Sequence, residues 1–526
     1  MKNLVLWFLL LLAVPAGSVF AAEVSEEQDI AIFGLTSYDY DIPDATLGYV
    51  DNSINNTFIG LKRFNVLGYG DYRIESGDVD EFIRRIREIR SEAAKEEGTY
   101  DEKFGTVVIK GEDFDRIVGS FLVVLPSLSN YSVSKRRTEV ITNNIIYYVP
   151  SYEVDIVIDI VFVNVREGTQ EESIRITGTG SDESLDRAGT EAVDSAISAL
   201  SYNIRRIDMF KIKSGVIRVK GDRVFFELGS DIGVRAGDEY EVMTKQQIGN
   251  TGRIAELPTG LVRVKKVYPD VTEAKILMQK ERITEGDQLV EVATFGGVLS
   301  FNAGLMKVDI PDMDYKVILV GDLYIPPFSS YYYINLDQPA RKLLPVVGLT
   351  FEKSLGYRVS GIFDATAVLN FPFFGGIGEL GVGSSFYKRR LSLKLGAQGG
   401  IMYLTSFKRS LLQSGLSPWL FVEGTRIDFS QDPVMNIYGL SLGIKGSAEM
   451  NLMLRPTLAF RTGLSYRLYT PIQNWRVHIE ETSGGAKESV DIRSDSPNLV
   501  EYEESEGLKR VKLSGYEIEL ALCLRF

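Results

Sequence analysis

The sequence predicts a multidomain chain in which a mixed α/β (α+β) domain and a small β domain precede a C-terminal transmembrane antiparallel β-barrel of about ten strands, eight or twelve also being compatible. Three observations predict it. Beyond residue 296, segments roughly ten residues long alternate apolar and polar side chains, the period of a strand with two unlike faces. Between residues 24 and 210, strand-like runs are interleaved with apolar residues at helical spacing. Across 213–293, short β-branched runs are punctuated by Gly-Asp turns.

Composition sets the outer limits. At roughly 150 residues per domain, 526 residues make three or four domains. The 58 Lys+Arg against 71 Asp+Glu give a net charge of −13, which argues against a nucleic-acid partner. One Cys and one His leave no disulfide framework, no thiolate or imidazole metal centre and little material for catalysis, so no catalytic residue, metal or cofactor is expected. Beyond the first two dozen residues no run of 18 apolar residues occurs, which excludes a helical anchor but not a barrel.

Met1–Ala21 read as a secretory signal peptide: Lys2 supplies the positive end, Leu4–Val14 the apolar stretch, and Val19-Phe20-Ala21 the cleavage site. The α/β domain then spans 22–212. Ile30–Leu35 is a short strand; Leu47, Val50, Ile54, Phe58 and Leu61 mark a helix; Arg63–Tyr69 is the next strand. Asp78 caps a helix whose apolar face carries Val79, Phe82, Ile83, Ile86 and Ile89. The opposite face holds Arg84, Arg85, Arg87 and Arg90, but interspersed Glu81, Glu88 and Glu92 make it a solvated face, not a polyanion site. Strands follow at Phe104–Ile109, Ser120–Leu125 and Tyr152–Val165, the last burying Val154, Ile156, Ile158, Ile160 and Phe162. Ser173–Gly180 leads through a turn, Gly178–Ser181, into a helix opened by Asp182. Gly178 and Gly180 do not form a phosphate cradle, because Asp182 and Glu183 would repel the anion.

The small β domain occupies 213–293. Its most distinctive run, Val224 to Asp238, contains Gly229, Gly233 and Gly237 for tight turns and Asp238 to accept backbone N–H groups. The barrel occupies 294–526. Alternation is clearest at 357–367, 391–403, 438–444, 458–468 and 516–526, with weaker candidates at 297–308, 314–326, 344–353, 376–387 and 417–425. On the last strand Tyr516, Ile518, Leu520, Leu522, Leu524 and Phe526 face lipid. The expected lumen set is Arg358, Asp364, Lys394, Lys445, Arg461, Arg467, Glu517, Glu519 and Arg525, whose mixed charges neutralise one another across a narrow, filled interior. Cys523 is a small inward residue of the last strand, and His478 lies in a long acidic loop, 471–511.

The terminal aromatic that ends the last alternation resembles the closing strand of bacterial outer-membrane barrels, read by the barrel-assembly machinery. The order of 24–210, ending in Gly178–Ser181 before an Ala-spaced helix, resembles the periplasmic α/β domain of the curli-secretion-protein and TolB N-terminal type. The Gly229–Asp238 run, with Leu261–Val264 and Ile283–Asp287, resembles the SH3-like C-terminal domain of the flagellar assembly protein T family. These resemblances imply binding or stacking modules without transferable functional residues.

The expected function is a non-enzymatic adaptor, assembly or scaffold protein anchored in the outer membrane, its N-terminal domains in the periplasm. The alternative is a transport or secretion channel component, porin-like or oligomeric. The implied partners are outer-membrane lipid, the barrel-assembly machinery and an unidentified periplasmic protein, with association into homo-oligomers left open. The acidity is segregated: 33 Lys+Arg face 48 Asp+Glu in 22–293, against 24 and 23 in 294–526.

Overall fold

The computed structural model describes residues 22–526 apart from 38–41, 75–77, 93–101, 105–106, 143–144, 166, 248–252, 309–315, 321–330, 336–342, 370–372, 407–408, 411–418, 423–424, 429–433, 473–475, 484–485, 494–498 and 502–513. The expected signal peptide lies outside the described residues, as do Glu503, Glu504 and Glu506 of the acidic segment. The chain divides into two compact units: residues up to Ala274 with Glu281–Ala293, and Thr294–Phe526 with Lys275–Lys280.

In the first unit a mixed sheet is built from β1 (Gln28–Phe33), β2 (Phe64–Tyr69), β3 (Leu122–Thr142), β4 (Ile145–Asn164) and β5 (Thr169–Asp182), in the order β2-β1-β3-β4-β5. β1 runs parallel to β2 and β3, while β3, β4 and β5 are antiparallel. Both faces are covered. On one, α1 (Asp44–Leu61), α4 (Leu185–Ser198) and α5 (Leu200–Arg206) enclose a core with Val154, Ile156, Ile158, Ile160 and Phe162 of β4. On the other, α2 (Val79–Glu92) and α3 (Gly111–Gly119) lay Phe82, Ile86, Phe114 and Ile117 against Phe33 and Val123. In α1, Val50, Ile54, Phe58 and Leu61 share one stripe, and each fully buried side chain of this size contributes about 1.5–3 kcal/mol.

Two expectations are corrected here. Gly178–Ser181 is not a turn but lies inside β5, and the helix starts at Leu185, with Asp182 Oδ1 accepting the Ser184 N–H at 2.8 Å. The glycines serve packing. A Cβ on Gly178 would sit 2.0 Å from the Ala192 carbonyl oxygen, and one on Gly180 2.1 Å from that of Ala188. The Ala-spaced face of α4 therefore rests directly on the backbone of β5. On α2, Arg85 pairs with Glu102 at 2.8 Å, Arg84 pairs with Glu88, and Arg87 donates to the Gly168 carbonyl at 2.5 Å.

The chain continues into a small closed barrel of six strands: β6 (Lys213–Lys220), β7 (Arg223–Glu227), β8 (Glu239–Gln247), β9 (Ile254–Val267), β10 (Val271–Gln279) and β11 (Gln288–Val292). Closure follows the order β7-β10-β9-β8-β11-β6 and surrounds Val224, Phe226, Tyr240, Val242 and Leu289, all fully buried.

The second unit is a closed antiparallel barrel of eight strands: β12 (Gly297–Val308), β13 (Leu343–Ser354), β14 (Val359–Leu369), β15 (Phe373–Lys388), β16 (Leu391–Ser406), β17 (Val434–Arg455), β18 (Leu458–Tyr469) and β19 (Gly515–Arg525). Each pairs with its sequence neighbour, and β19 closes the ring against both β12 and β18. Ten strands are not used. The candidate at 314–326 contains Lys316–Val320, which pairs with Tyr331–Asn335 and Leu499–Glu501 in a separate sheet, and that at 417–425 falls on a hairpin of Trp419–Val422 with Thr425–Asp428. Short apolar runs in connections imitate strands when read alone. The acidic segment 471–511 is likewise not simply a loop: Arg476–Ser483 and Ala486–Arg493 form a hairpin that pairs with the start of β17.

Candidate functional site

The eight-stranded barrel carries the clearest chemistry, because its two faces differ completely. Among the described residues no helix is long and apolar enough to cross a membrane; the strands present the apolar surface. Outward positions include Phe301, Leu380, Leu442 and Leu464, and Tyr516, Ile518, Leu520, Leu522 and Leu524 of β19 are exposed, as is Phe526 directly after it. Leu380 is 70 % and Leu442 64 % exposed, and it is the continuous band of such residues around the wall that an apolar solvent rewards. Aromatic pairs mark both ends: Tyr466 with Tyr516 and Tyr403 with Tyr438 at one, Phe351 with Phe526 and Tyr357 with Tyr387 at the other. From Tyr516 to Phe526 the strand runs about 33 Å, or about 25 Å across the membrane at a tilt of about 40°. That is the height of a lipid-facing barrel band with its two aromatic girdles.

The two ends also differ in their connections. At the Phe526 end, β15 and β16 are joined through Arg389 and Arg390 alone, and β17 and β18 through Pro456 and Thr457. At the Tyr516 end, the links between β12 and β13, β16 and β17, and β18 and β19 each exceed 25 residues. Chain entry, at Gly297, pairs with Lys353 and contacts Phe526, so it lies at the short-turn end.

The lumen is filled by ion pairs in two linked groups. In the first, Lys394 Nζ lies 2.8 Å from Glu352 and 3.2 Å from Glu449; Arg461 pairs with Glu352 and, at 3.2 Å, with Glu449, and donates to Asn451 Oδ1 at 2.7 Å. In the second, Lys445 lies 2.9 Å from Asp364 and 3.7 Å from Glu379, Arg467 grips Glu379 through Nε at 3.0 Å and Nη2 at 2.9 Å, and Arg467 also pairs with Glu517. Tyr469 donates its hydroxyl to Glu379 at 2.9 Å, and Gln398 donates to Asp364 at 2.7 Å. Among the described residues, ten charged side chains of the inner wall, these nine and Glu519, are buried. Buried charges persist only when paired in this way, so the cross-strand contacts both fill the lumen and tie non-adjacent strands together.

The structure thus places Asp364, Lys394, Lys445, Arg461, Arg467, Glu517 and Glu519 on the inner wall. Arg358 is not there. It sits exposed in the turn between β13 and β14, its guanidinium over the rings of Tyr357 and Phe386, because the alternation is read through a turn at 355–358. Arg525 sits at the short-turn rim and donates to the Pro456 carbonyl at 2.8 Å. Three lumen acids escaped the sequence reading: Glu352, Glu379 and Glu449. The first two lie in weakly alternating strands, and the third lies beyond the expected end of its strand. Cys523 is buried in the wall beside Ala459 and Ala521, at the end of the barrel opposite the His478 hairpin, so the two are not a pair. Among the described residues no group of three or more His, Cys, Asp or Glu is arranged to hold a metal ion.

The Gly229–Asp238 run belongs to a second built site, where the small barrel meets the α/β domain. Glu291, on β11, is fully buried and receives Arg63 Nη1 at 2.7 Å, Arg205 Nε at 2.6 Å and the Ile212 N–H at 3.0 Å. Arg205 also reaches Asp238 Oδ1 at 3.0 Å, while Asp238 Oδ2 accepts the Arg235 N–H at 2.7 Å and Arg235 donates to the Gly60 carbonyl at 2.8 Å. Gly233 has φ +81°, and a Cβ there would lie 1.9 Å from the Leu61 carbonyl oxygen. Gly229 likewise abuts the Tyr268 carbonyl, whereas Gly237 has φ 101° and closes the turn before Asp238. The motif is therefore a docking surface against the end of α1, not a ligand loop. Burial pushes the Glu291 carboxyl up, but Arg63 and Arg205 overcome this and hold it below the usual carboxylate range. For Asp238 burial wins over Arg205, and its carboxyl is held above that range.

No protein-family model and no curated protein matches this sequence. Solved structures similar to parts of the chain include a major outer membrane protein from Thermus thermophilus (10% identity, 44% of this chain and 99% of that one, TM-score 0.25). The outer membrane protein OprG from Pseudomonas aeruginosa is similar at 12% identity, over 44% of this chain and 97% of that one, with a TM-score of 0.22. The lipoprotein GNA1162 from Neisseria meningitidis is similar over 34% of this chain and 97% of that one, at 12% identity and a TM-score of 0.19. With scores this low, the functional reading rests on the geometry of the chain itself.

Proposed function

We propose that this protein is a non-enzymatic outer-membrane anchor whose filled barrel holds an α/β domain and a small β-barrel domain in the periplasm as an adaptor or assembly scaffold. The observation that carries the reading is the ion-paired lumen inside an apolar outer face: Lys394, Lys445, Arg461 and Arg467 each bridge carboxylates across the interior. An eight-stranded barrel packed with its own side chains is an anchor first. Two further points support it. Chain entry at the short-turn end matches the periplasmic side of outer-membrane barrels, where turns are short. The Arg63, Arg205, Glu291 and Asp238 cluster joins the α/β domain to the small barrel, which gives a scaffold two modules in fixed register. The SH3-like and curli-type likenesses are part of this reading and make the two modules the partner-binding elements.

Planar-bilayer recordings of the purified full-length protein test the reading. The anchor gives no steady, large single-channel current; reproducible large conductance would replace it with the channel alternative. Fractionation adds a second check. Deletion of Gly515–Phe526 leaves a chain that is exported but no longer recovered with outer-membrane barrels, and retention of the truncated chain in that fraction would refute the role assigned to the last strand.

A further inference from the structure

The rim at the short-turn end of the eight-stranded barrel is basic all the way round. Four connections make up this rim, and each carries exposed or half-buried cations. Lys353 and Arg358 flank or occupy the turn between β13 and β14; Lys388, Arg389 and Arg390 do so between β15 and β16. Arg455 stands at the turn between β17 and β18, and Arg525 where β19 meets the incoming chain. Acidic side chains do not match them. Across 294–300, 351–360, 385–392, 452–458 and 522–526 the one acidic residue is Glu352, which is buried in the lumen with Lys394 and Arg461.

These cations stand at a definite depth. Phe351 with Phe526 and Tyr357 with Tyr387 form the aromatic girdle of this end, and the cations adjoin those rings in the chain. Arg358 Cζ lies 5.4 Å from the centre of the Tyr357 ring and 5.2 Å from that of Phe386. Lys353 Nζ lies 4.3 Å from the centre of the Phe295 ring and donates to the Phe295 carbonyl. A guanidinium stacked on a ring keeps its N–H donors in its own plane, where they can still grip an oxyanion. Among the described residues Arg358, Lys388, Arg389, Arg390 and Arg455 make no ion pair. An aromatic girdle marks the level of the lipid headgroups, so phosphate is the anion found at the depth of these side chains.

We propose that this rim is a collar for the phosphate headgroups of anionic phospholipids in the adjoining leaflet. Arg358, Arg389, Arg390 and Arg455 offer forked donors that match phosphate oxygens, and Lys353 and Lys388 add point charges. The spread of the cations favours lipid over a docked protein. They occur in all four connections, as a surrounding ring of lipids requires, whereas one protein partner would meet one side. The inference rests on the reading of the barrel as membrane-spanning and adds the class of lipid that its rim selects.

The test places the full-length protein in phosphatidylcholine vesicles with a trace of spin-labelled lipid, whose motionally restricted fraction reports the lipids touching the barrel. Spin-labelled phosphatidylglycerol is expected to be restricted more than spin-labelled phosphatidylcholine, by a factor of up to about five, the worth of one cation close to an anionic surface. Raising sodium chloride shrinks this excess. The variant combining Arg389→Gln, Arg390→Gln and Arg455→Gln, all at exposed positions, loses most of it. Lys307→Gln, at the exposed Tyr516 end, leaves it unchanged. Equal restriction of the two labels in the wild type would overturn the collar and leave the membrane reading standing, whereas no restricted fraction with either label would overturn both. An excess that survives the triple variant, or that Lys307→Gln removes as fully, would also overturn the collar. So would inorganic phosphate that abolishes the excess at an ionic strength where chloride does not, which would assign the rim to the free anion. If the triple variant does not insert, the salt series on the wild type decides, and an excess indifferent to salt refutes the electrostatic collar.

Discussion

Glu291→Ala is the most informative perturbation of the first unit. The carboxylate is fully buried and is the shared acceptor of Arg63, Arg205 and the Ile212 N–H. After truncation the partners left among the described residues are the Phe210 carbonyl for Arg63, at 2.8 Å, and Asp238 for Arg205, at 3.0 Å. One carboxylate then faces two guanidinium groups, and the Ile212 amide loses its side-chain acceptor. Breaking a buried pair by removing one partner costs about 3–5 kcal/mol, and this range already contains the orphaned donors. All helices among the described residues belong to this unit, so helical circular dichroism of the full-length protein in detergent reports its unfolding in urea. The expected loss is about 3–5 kcal/mol, with amide exchange accelerated first around Ile212 and β11. A paired substitution, Arg63→Met with Glu291→Leu, leaves Arg205 on Asp238 and replaces the ions by apolar volume; it is expected to cost less than the single change. A loss below about 1 kcal/mol for Glu291→Ala would show that the junction is held by packing and that these ion pairs carry little of it.

The same cluster sets a pH dependence. Because Glu291 is held below the usual carboxylate range, its contribution is complete above its unfolded value and is lost as pH falls through its native one. The stability gap between wild type and Glu291→Gln is therefore expected to shrink on acidification below about pH 4, and a gap that widens there would contradict the assignment. On the barrel, Leu520→Lys places an ammonium at an outward position that is 53 % exposed, and should cost about 2–4 kcal/mol in reversible unfolding from lipid vesicles, whereas a soluble barrel would barely respond. In the α/β domain, Gly178→Ala drives a methyl to 2.0 Å from the Ala192 carbonyl oxygen, so urea unfolding followed by helical dichroism should show a loss of about 1–3 kcal/mol or more, where an ordinary strand position would gain from the exchange.

How much was legible in the sequence follows from which interactions are local. The stripe of Val50, Ile54, Phe58 and Leu61 and the alternation of Val154 to Phe162 appear in the structure as the buried faces of α1 and β4, because side-chain direction follows from the backbone period alone. Gly178 and Gly180 were visible as an unusual pair, yet their purpose was not, since it depends on a helix that lies on them only after folding. Glu352, Glu379 and Glu449 were hidden for a related reason: a charged residue in a weak alternation has meaning only once the strand opposite is known. The Gly229–Asp238 run announced tight turns, but its partners, Leu61 and Arg205, come from segments about 170 residues upstream and about thirty upstream, respectively.

By itself the sequence determined the order of the parts, the lipid-facing side of each strong strand and the near-absence of His and Cys, all of which are read residue by residue. Only the tertiary structure decided that eight strands close the ring, that Arg358 leaves the lumen for a turn, and that, among the described residues, Lys394, Lys445, Arg461 and Arg467 are shared between Glu352, Asp364, Glu379, Glu449 and Glu517. The physical reason is that strand alternation is fixed by adjacent peptide units, whereas closure and charge pairing are settled between residues some ten to more than two hundred apart, whose registers become defined together when the last strand meets the first.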